Sequence, residues 1–238
     1  MKILAIEFSS ARRGVAVVEA VPAAASRRPD AASPTGGDWK SSALDARVLG
    51  LAEGDGLTPG PFALIESALR AAGVEREQIE CIAVGLGPGS YTGVRSAIAL
   101  AQGWQLALGV KLLGVSSAEV LATTAHAAGL AGRVAVVIDA LRGEFYSASF
   151  DLTAAGGREV APLRLLTRSA VEALAAAGEL LVSPDAKRPF TGATLLSPAA
   201  GELGRLVAVR DNFQPGEKLE PISLRETTFV KAPPPRSY

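Results

Sequence analysis

The sequence predicts an α/β protein of two lobes, mixed sheets flanked by helices, in which one folding unit is duplicated. Three observations carry this expectation. An apolar run, Ile3–Phe8, is followed by a turn and a second strand-like run, and the same order returns from Arg133–Ile138 onward. Each half then continues with a third strand, a helix and a fourth strand, an order unlike a Rossmann series of βαβ units. Within the first half lies Val84–Gly103, VGLGPGSYTGVRSAIALAQG, which reads as the end of a strand, a glycine-rich turn and a helix. The 238 residues suffice for one large domain or two lobes with a real core, and the expected division is 1–110 and 111–238.

Taken in order, Ile3–Phe8 is apolar on both faces, as a buried central strand should be. Ser9–Arg13 is a turn and Gly14–Ala20 the returning strand. Pro22–Asp38 holds three prolines, two glycines and five alanines without a large apolar residue, which predicts an exposed loop at a hairpin tip. Ser42–Leu51 reads as an edge strand with Leu44, Ala46, Val48 and Gly50 on one side. Thr58–Pro59 starts a helix that ends at Gly73 and is apolar on more than one face, so it needs cover from two sides. Cys81–Val84 is a buried strand, and Ser90 or Thr92 is placed to cap the helix that follows. In the second half, Leu141–Gly143 is a turn and Glu144–Phe150 and Val160–Leu166 are strands. Ser169–Ala177 is a helix capped by Gly178, and Glu179–Val182 is a strand. Glu226–Tyr238, which contains AlaProProProArg, is an extended tail.

Composition removes several classes of function. Lys plus Arg equals Asp plus Glu at 24 each, so no whole-molecule field draws in nucleic acid or an acidic membrane. The N-terminal apolar run reaches Glu7 too soon for a signal peptide, and no run approaches ~18 apolar residues, so a cytoplasmic protein without a membrane span is expected. Cys81 is the only cysteine and sits in an apolar strand, as a buried small hydrophobe. His126 is the only histidine, so a two-histidine metal site within the chain is impossible, and a hydrolytic triad would have to use that one residue as base.

The glycine turn, with Gly85, Gly87, Gly89, Ser90, Thr92, Gly93 and Arg95, resembles a nucleotide loop only superficially. A P-loop ends in Gly-Lys-Ser/Thr, and no lysine lies between Lys40 and Lys111. A Rossmann fingerprint needs a glycine three residues after Gly89, where Thr92 stands. The turn therefore either seats its helix tightly on the sheet or contacts a ligand through its backbone. Arg95 sits in a helical first turn, where the macrodipole disfavours a cation; Glu7, Asp139 or a surface carboxylate are candidates to compensate it.

On the helix after the turn, Ser96, Ala99, Gly103 and Ala107 form one face of small residues, beside an apolar stripe of Val94, Ile98, Ala101, Trp104 and Leu108. A glycine in mid-helix costs about 1 kcal/mol unless close approach of another helix repays it. Together with Phe62, Ile65 and Leu69 of the preceding helix, this face is the predicted partner interface.

ILAIEFSS, GLGPGSYTGVRSAIALAQG, IDALRGEFYSASF and PISLRE occur in an order and spacing that resemble the TsaB (YeaZ) family. The resemblance implies a two-lobed actin-like (ribonuclease H-like) duplicated fold, related to the glycoproteases. It also implies a non-catalytic role in making N6-threonylcarbamoyladenosine in tRNA, scaffolding and activating the catalytic paralogue TsaD together with the ATPase TsaE. On that reading the isolated chain is a homodimer, tRNA is met only through the complex, and ATP or ADP is bound, if at all, at the complex interface rather than by the chain alone. Departures from the pattern weaken any ATPase role. The His-Ser pair that opens the first helix in many members is absent. The loops matching the actin-like phosphate loops are Glu7-Phe8-Ser9-Ser10 and Asp139-Ala140-Leu141-Arg142-Gly143, with one glycine between them. Glu7, Ser9, Ser10 and Asp139 thus mark a degenerate nucleotide cleft. The alternatives are a free-standing actin-like ATP-dependent phosphotransferase and a glycoprotease-like peptidase, the latter disfavoured by the single histidine.

Overall fold

A hairpin at the N-terminus pairs β1 (Lys2–Glu7) with β2 (Arg12–Glu19), antiparallel, from Lys2↔Glu19 to Glu7↔Gly14. The computed structural model describes residues 1–20, 38–40, 46–56, 58–185 and 190–224. All of the expected loop Pro22–Asp38 except Asp38, residues 42–45 of the expected edge strand and the tail Glu226–Tyr238 lie outside them. After the hairpin come β3 (Trp39–Lys40), β4 (Arg47–Asp55), α1 (Pro61–Ala72), β5 (Cys81–Gly85), α2 (Tyr91–Leu108), β6 (Lys111–Val115) and α3 (Ser117–Ala127). The second half supplies β7 (Gly132–Asp139), β8 (Glu144–Thr153), β9 (Gly156–Thr167), α4 (Arg168–Ala176), β10 (Leu180–Ser183), β11 (Thr194–Leu195) and α5 (Ala200–Ala208).

The two sheets repeat one topology. The first runs β4-β2-β1-β5-β6, and the second runs β11-β10-β7-β8-β9 before adding β3 at its edge. In each, the first two strands of the unit form a hairpin and the first pairs in parallel with the strand after the helix, β1 with β5 and β7 with β10. The duplicated α/β unit expected from the sequence is present. Ile3, Leu4, Ala5 and Ile6 are fully buried because β1 is the middle strand of five and both its faces are covered. Strand β6, which a boundary at Val110 would assign to the second lobe, pairs with β5 from Cys81↔Lys111 to Gly85↔Val115 and completes the first sheet.

Three apolar clusters stack the layers. One packs α1 and α2 on the outer face of the first sheet, through residues such as Leu64, Leu69, Val94 and Ile98. A second, smaller cluster lies on the far face of the second sheet, where Val171 of α4 meets Phe145 and Leu181. Between the sheets, α3 and α5 share one core with Ile3 and Val18 of the first sheet and Val136 and Phe150 of the second. Gly204 lets α5 approach β2, since a Cβ there would stand 2.9 Å from that of Val18.

Local chemistry sets the helix ends. α1 begins at Pro61 rather than Thr58, with Gly60 as N-cap; a proline at the first helical position loses no hydrogen bond. It ends at Gly73 in the left-handed conformation, whose amide reaches Arg70 and Leu69 carbonyls. Strand β4 runs past the expected end at Leu51 to Asp55, with Val17/Val18 marking a bulge in its pairing with β2. The cover expected on two faces of α1 is present on one: Leu64, Ile65, Ala68 and Leu69 are buried, while Phe62 is 72% exposed.

Candidate functional site

The glycine-rich turn and the loop after β1 are packed into each other. Ser90 caps α2, its Oγ accepting from the Gly93 amide at 3.2 Å, which selects Ser90 over Thr92. The Ser90 amide itself donates to the Ser9 carbonyl at 2.6 Å. A Cβ on Gly89 would stand 2.9 Å from the Ser9 carbonyl carbon, and one on Gly93 would stand 3.1 Å from that of Phe8. Gly87 and Gly89 adopt positive φ, 80° and 149°, which an L side chain disfavours. These glycines are needed for contact between two segments of the protein itself.

Glu7 lies at the centre of this contact. Its carboxyl is fully buried; Oε1 accepts from the Ser9 amide at 2.9 Å and Oε2 from Ser117 Oγ at 3.0 Å. Ser117, the first residue of α3, accepts in turn from the Gly87 amide at 3.0 Å and donates its own amide to the Gly87 carbonyl at 2.8 Å. One serine thus locks the turn, the loop and a third helix. Burial pushes the Glu7 carboxyl above the usual carboxylate range, and the hydrogen bonds from Ser9 and Ser117 pull it partly back. Ser117 was missed in the sequence, although SerAlaGluVal after an apolar strand carries a helix-start signal.

The remaining cleft candidates are also engaged. Ser10 Oγ donates to the Arg12 carbonyl at 2.7 Å, and both Ser9 and Ser10 are buried. Asp139 Oδ1 accepts from the Leu141 amide at 2.8 Å, and its own amide donates to Asp185 Oδ2 at 2.7 Å. Burial raises the Asp185 carboxyl above its ordinary value. A phosphate at the first loop would need open backbone amides; there a buried carboxylate and the carbonyls of Phe8 and Ser9 fill the space. The residues do not fit a nucleotide phosphate at that position.

Arg95 finds neither Glu7 nor Asp139. Its guanidinium stacks over the Tyr91 ring, 4.4 Å from the centroid, a cation–π contact on the exposed side of the helix. These two residues form one wall of a groove of about 1090 Å³ that runs from the glycine turn along the first half of α2. Arg142 of the β7–β8 tip, Tyr146 of β8, Glu217 and Glu220 line it as well. Leu141 and Arg142 stand at φ 63° and 55° at the β7–β8 tip, a strained pair of non-glycine residues of the kind that collects at functional sites. His126, on α3, is half-buried, and its Nε2 lies 2.8 Å from the Thr153 carbonyl.

The predicted interface residues divide. Phe62 is exposed on α1, and Ala99, Gly103 and Ala107 are exposed on α2 with Ser96 half-buried; a Cβ on Gly103 would meet nothing within 4 Å. Leu106, on the same helix, is 89% exposed. Ile65 and Leu69 instead face the core of the first sheet at 4% and 6% exposure, because they share the buried side of α1 with Leu64 and Ala68. Among the described residues no helix is long and apolar enough to cross a membrane, and no group of three or more His, Cys, Asp or Glu is placed to hold a metal ion.

Comparison with known proteins bears on this arrangement. A family model described as TsaD, tRNA N6-adenosine threonylcarbamoyltransferase, matches residues 62–195. The tRNA threonylcarbamoyladenosine biosynthesis protein TsaB of Escherichia coli (strain K12) is 38% identical over 87 residues, 37% of this chain and 38% of that protein. The protein of the same name from Bacillus subtilis (strain 168) is 35% identical over 83 residues, 35% of each. The chain therefore spans less than half the length of the curated relatives it matches. Solved structures extend the likeness. YeaZ from Pseudomonas aeruginosa superposes with a TM-score of 0.71 at 26% identity, over 94% of this chain and 99% of that one. A crystal structure of an uncharacterized protein with similarity to peptidase YeaZ, also from Pseudomonas aeruginosa, gives a TM-score of 0.69 with the same identity and coverage. The mixed sheets and the duplicated unit are thus those of the YeaZ, actin-like fold.

Proposed function

Because the chain belongs to the family described as TsaD, tRNA N6-adenosine threonylcarbamoyltransferase, and is similar along most of its length to YeaZ, we propose that it serves in making threonylcarbamoyladenosine in tRNA as a partner that carries no reacting group. The observation that carries this reading is the filled first loop. Glu7 occupies the space against Gly85, its oxygens are spent on Ser9 and Ser117, and Gly89 and Gly93 are pressed onto backbone carbonyls. A loop closed by its own protein stabilises a fixed shape and leaves no room to position a phosphate for transfer.

The role follows from what the rigid turn presents. It seats α2 on the first sheet so that Ala99, Gly103 and Ala107, with Leu106 on the same helix, remain on the surface as a face a second helix can approach closely, and Phe62 of α1 is exposed as well. In this reading that face receives the catalytic paralogue TsaD, or a second copy of the chain when the paralogue is absent. TsaE joins the resulting complex, which alone meets tRNA. ATP or ADP is held where the chains meet and not in the loop of Glu7, Ser9 and Ser10.

The test is reconstitution. Mixed with purified TsaD and TsaE homologues from the same source, the chain is expected to co-elute with TsaD in size exclusion and to be required for threonylcarbamoyl transfer to tRNA. No complex at tens of micromolar chain, or transfer that proceeds equally without it, overturns the proposal. Tight ATP–magnesium binding with turnover by the isolated chain would favour the phosphotransferase alternative instead.

A further inference from the structure

The two sheets are joined by more than the chain that runs from β6 through α3 to β7. Trp39 and Lys40 stand in sequence between β2 and β4, both strands of the first sheet, yet as β3 they pair with the edge of the second, Trp39 opposite Gly157 and Lys40 opposite Gly156. Trp39 is 6% exposed, and its ring centroid lies 5.8 Å from that of Phe150. Both glycines are shaped to that ring and backbone. A Cβ on Gly157 would stand 2.5 Å from Trp39 Cη2, and one on Gly156, at φ 136°, would stand 2.8 Å from the Lys40 Cα. Asp38 Oδ1 adds one bond by accepting from the Glu159 amide at 3.3 Å.

We infer that Asp38–Trp39–Lys40 are a latch between the two sheets, closed when the Trp39 ring sits on the Gly156–Gly157 seat and able to open without unfolding either sheet. The seat is specific, but the attachment is thin. The strand is two residues long, its carboxylate–amide bond is near the long limit, and the buried indole Nε1 finds no acceptor among the described residues. Ring burial is what holds it. An element with few ladder bonds and one anchoring side chain opens locally at lower free energy than the sheet it rests on. Two-lobed folds use relative movement of their halves, and a latch from the hairpin of one to the edge strand of the other restrains that movement when seated.

The 238-residue chain has two tryptophans, Trp39 and Trp104, so Trp104→Phe leaves Trp39 as the sole reporter. In a urea titration its emission is expected to shift to the red and become quenchable by acrylamide at a lower midpoint than the loss of far-ultraviolet circular dichroism. Gly157→Ala on that background is the matched variant, because the backbone there has no positive φ and the atoms nearest to an added Cβ all belong to the Trp39 ring. It is expected to show the red-shifted emission already in buffer, with acrylamide quenching raised at least threefold and the circular-dichroism melt within a few degrees of the parent. Coincident fluorescence and circular-dichroism transitions in the parent overturn independent opening, and unchanged emission in Gly157→Ala overturns the seat. Should that variant not fold, amide exchange on the unsubstituted chain decides the question. The Glu159 amide exchanges at least tenfold faster than those of the β7–β8 ladder if the latch opens alone, and at the same rate if it does not.

Discussion

The carboxyl group of Glu7 occupies the space that a side chain on Gly85 would need: a Cβ there would stand 2.5 Å from the carboxyl carbon. β1 and β5 are parallel neighbours, and Glu7 and Gly85 each end their strand one residue past the last paired positions, Ile6↔Val84. The acid and the glycine are therefore one design, and substitutions at either report on the other. Gly85→Ala should destabilise by about 3 kcal/mol, a large overpacking penalty, lowering the melting temperature by roughly 6–12 °C in a chain of this size. Combined with Glu7→Ala it should cost less than the two single changes together, and strictly additive midpoints in a double-mutant cycle would show that the pair does not interact.

Stability should fall as pH rises. Glu7 binds its proton more tightly folded than at the ordinary value of 4.5, chiefly because burial penalises the charge. Its contribution is complete below 4.5 and is lost as pH climbs through the raised folded-state value. Glu7→Gln keeps the shape and can still accept from Ser9 while donating to Ser117. Urea unfolding across pH 4.5 to 8 should therefore give a flatter profile for the variant, with a midpoint at neutral pH no lower than the parent's. A loss of stability at every pH would contradict this.

Gly103→Leu separates association from folding. The added side chain enters open solvent, and replacing glycine in mid-helix contributes about 0.8 kcal/mol of helix propensity. The monomer should melt at the same temperature or slightly higher, while binding to the TsaD homologue weakens at least tenfold in calorimetry. Unchanged affinity would place the partner elsewhere.

Cys81 should be inert. Burial pushes its thiol up to about 12, with Lys111 pulling weakly the other way, so thiolate is scarce at pH 8. Ellman's reagent should react over hours with the native protein and within a minute in urea. Rapid labelling of the native chain would mean that the first sheet opens readily at β5.

Much of the architecture was legible because it rests on periodicity and backbone chemistry. Apolar Ile3–Phe8 reads as a buried central strand, the repeated order of elements implied duplication, and Ser90 or Thr92 marked the start of α2 to within a turn. The family motif could be read for the same reason, since glycines forced by close backbone approach leave a fixed spacing. What escaped were relationships across long sequence separation. Ile65 and Leu69 looked like interface residues because a helical pattern shows that a face is apolar and not which sheet covers it. For Arg95 the sequence offers Glu7, Asp139, a surface carboxylate or no partner at all, and the residue takes the Tyr91 ring, because partners one turn apart compete with partners across a cleft.

The sequence by itself determined the strands and helices of the repeated unit but not β3, β6, β11 or α5, together with the duplication, the lone histidine and cysteine, and the glycine turn. Only the tertiary structure decided that the turn is closed by Glu7 and Ser117, that β6 belongs to the first sheet, and that Trp39 crosses to the second. The reason is physical. Strand and helix signals are local and additive along the chain, whereas the identity of a buried carboxyl's neighbours depends on which distant backbones come within 3 Å of it.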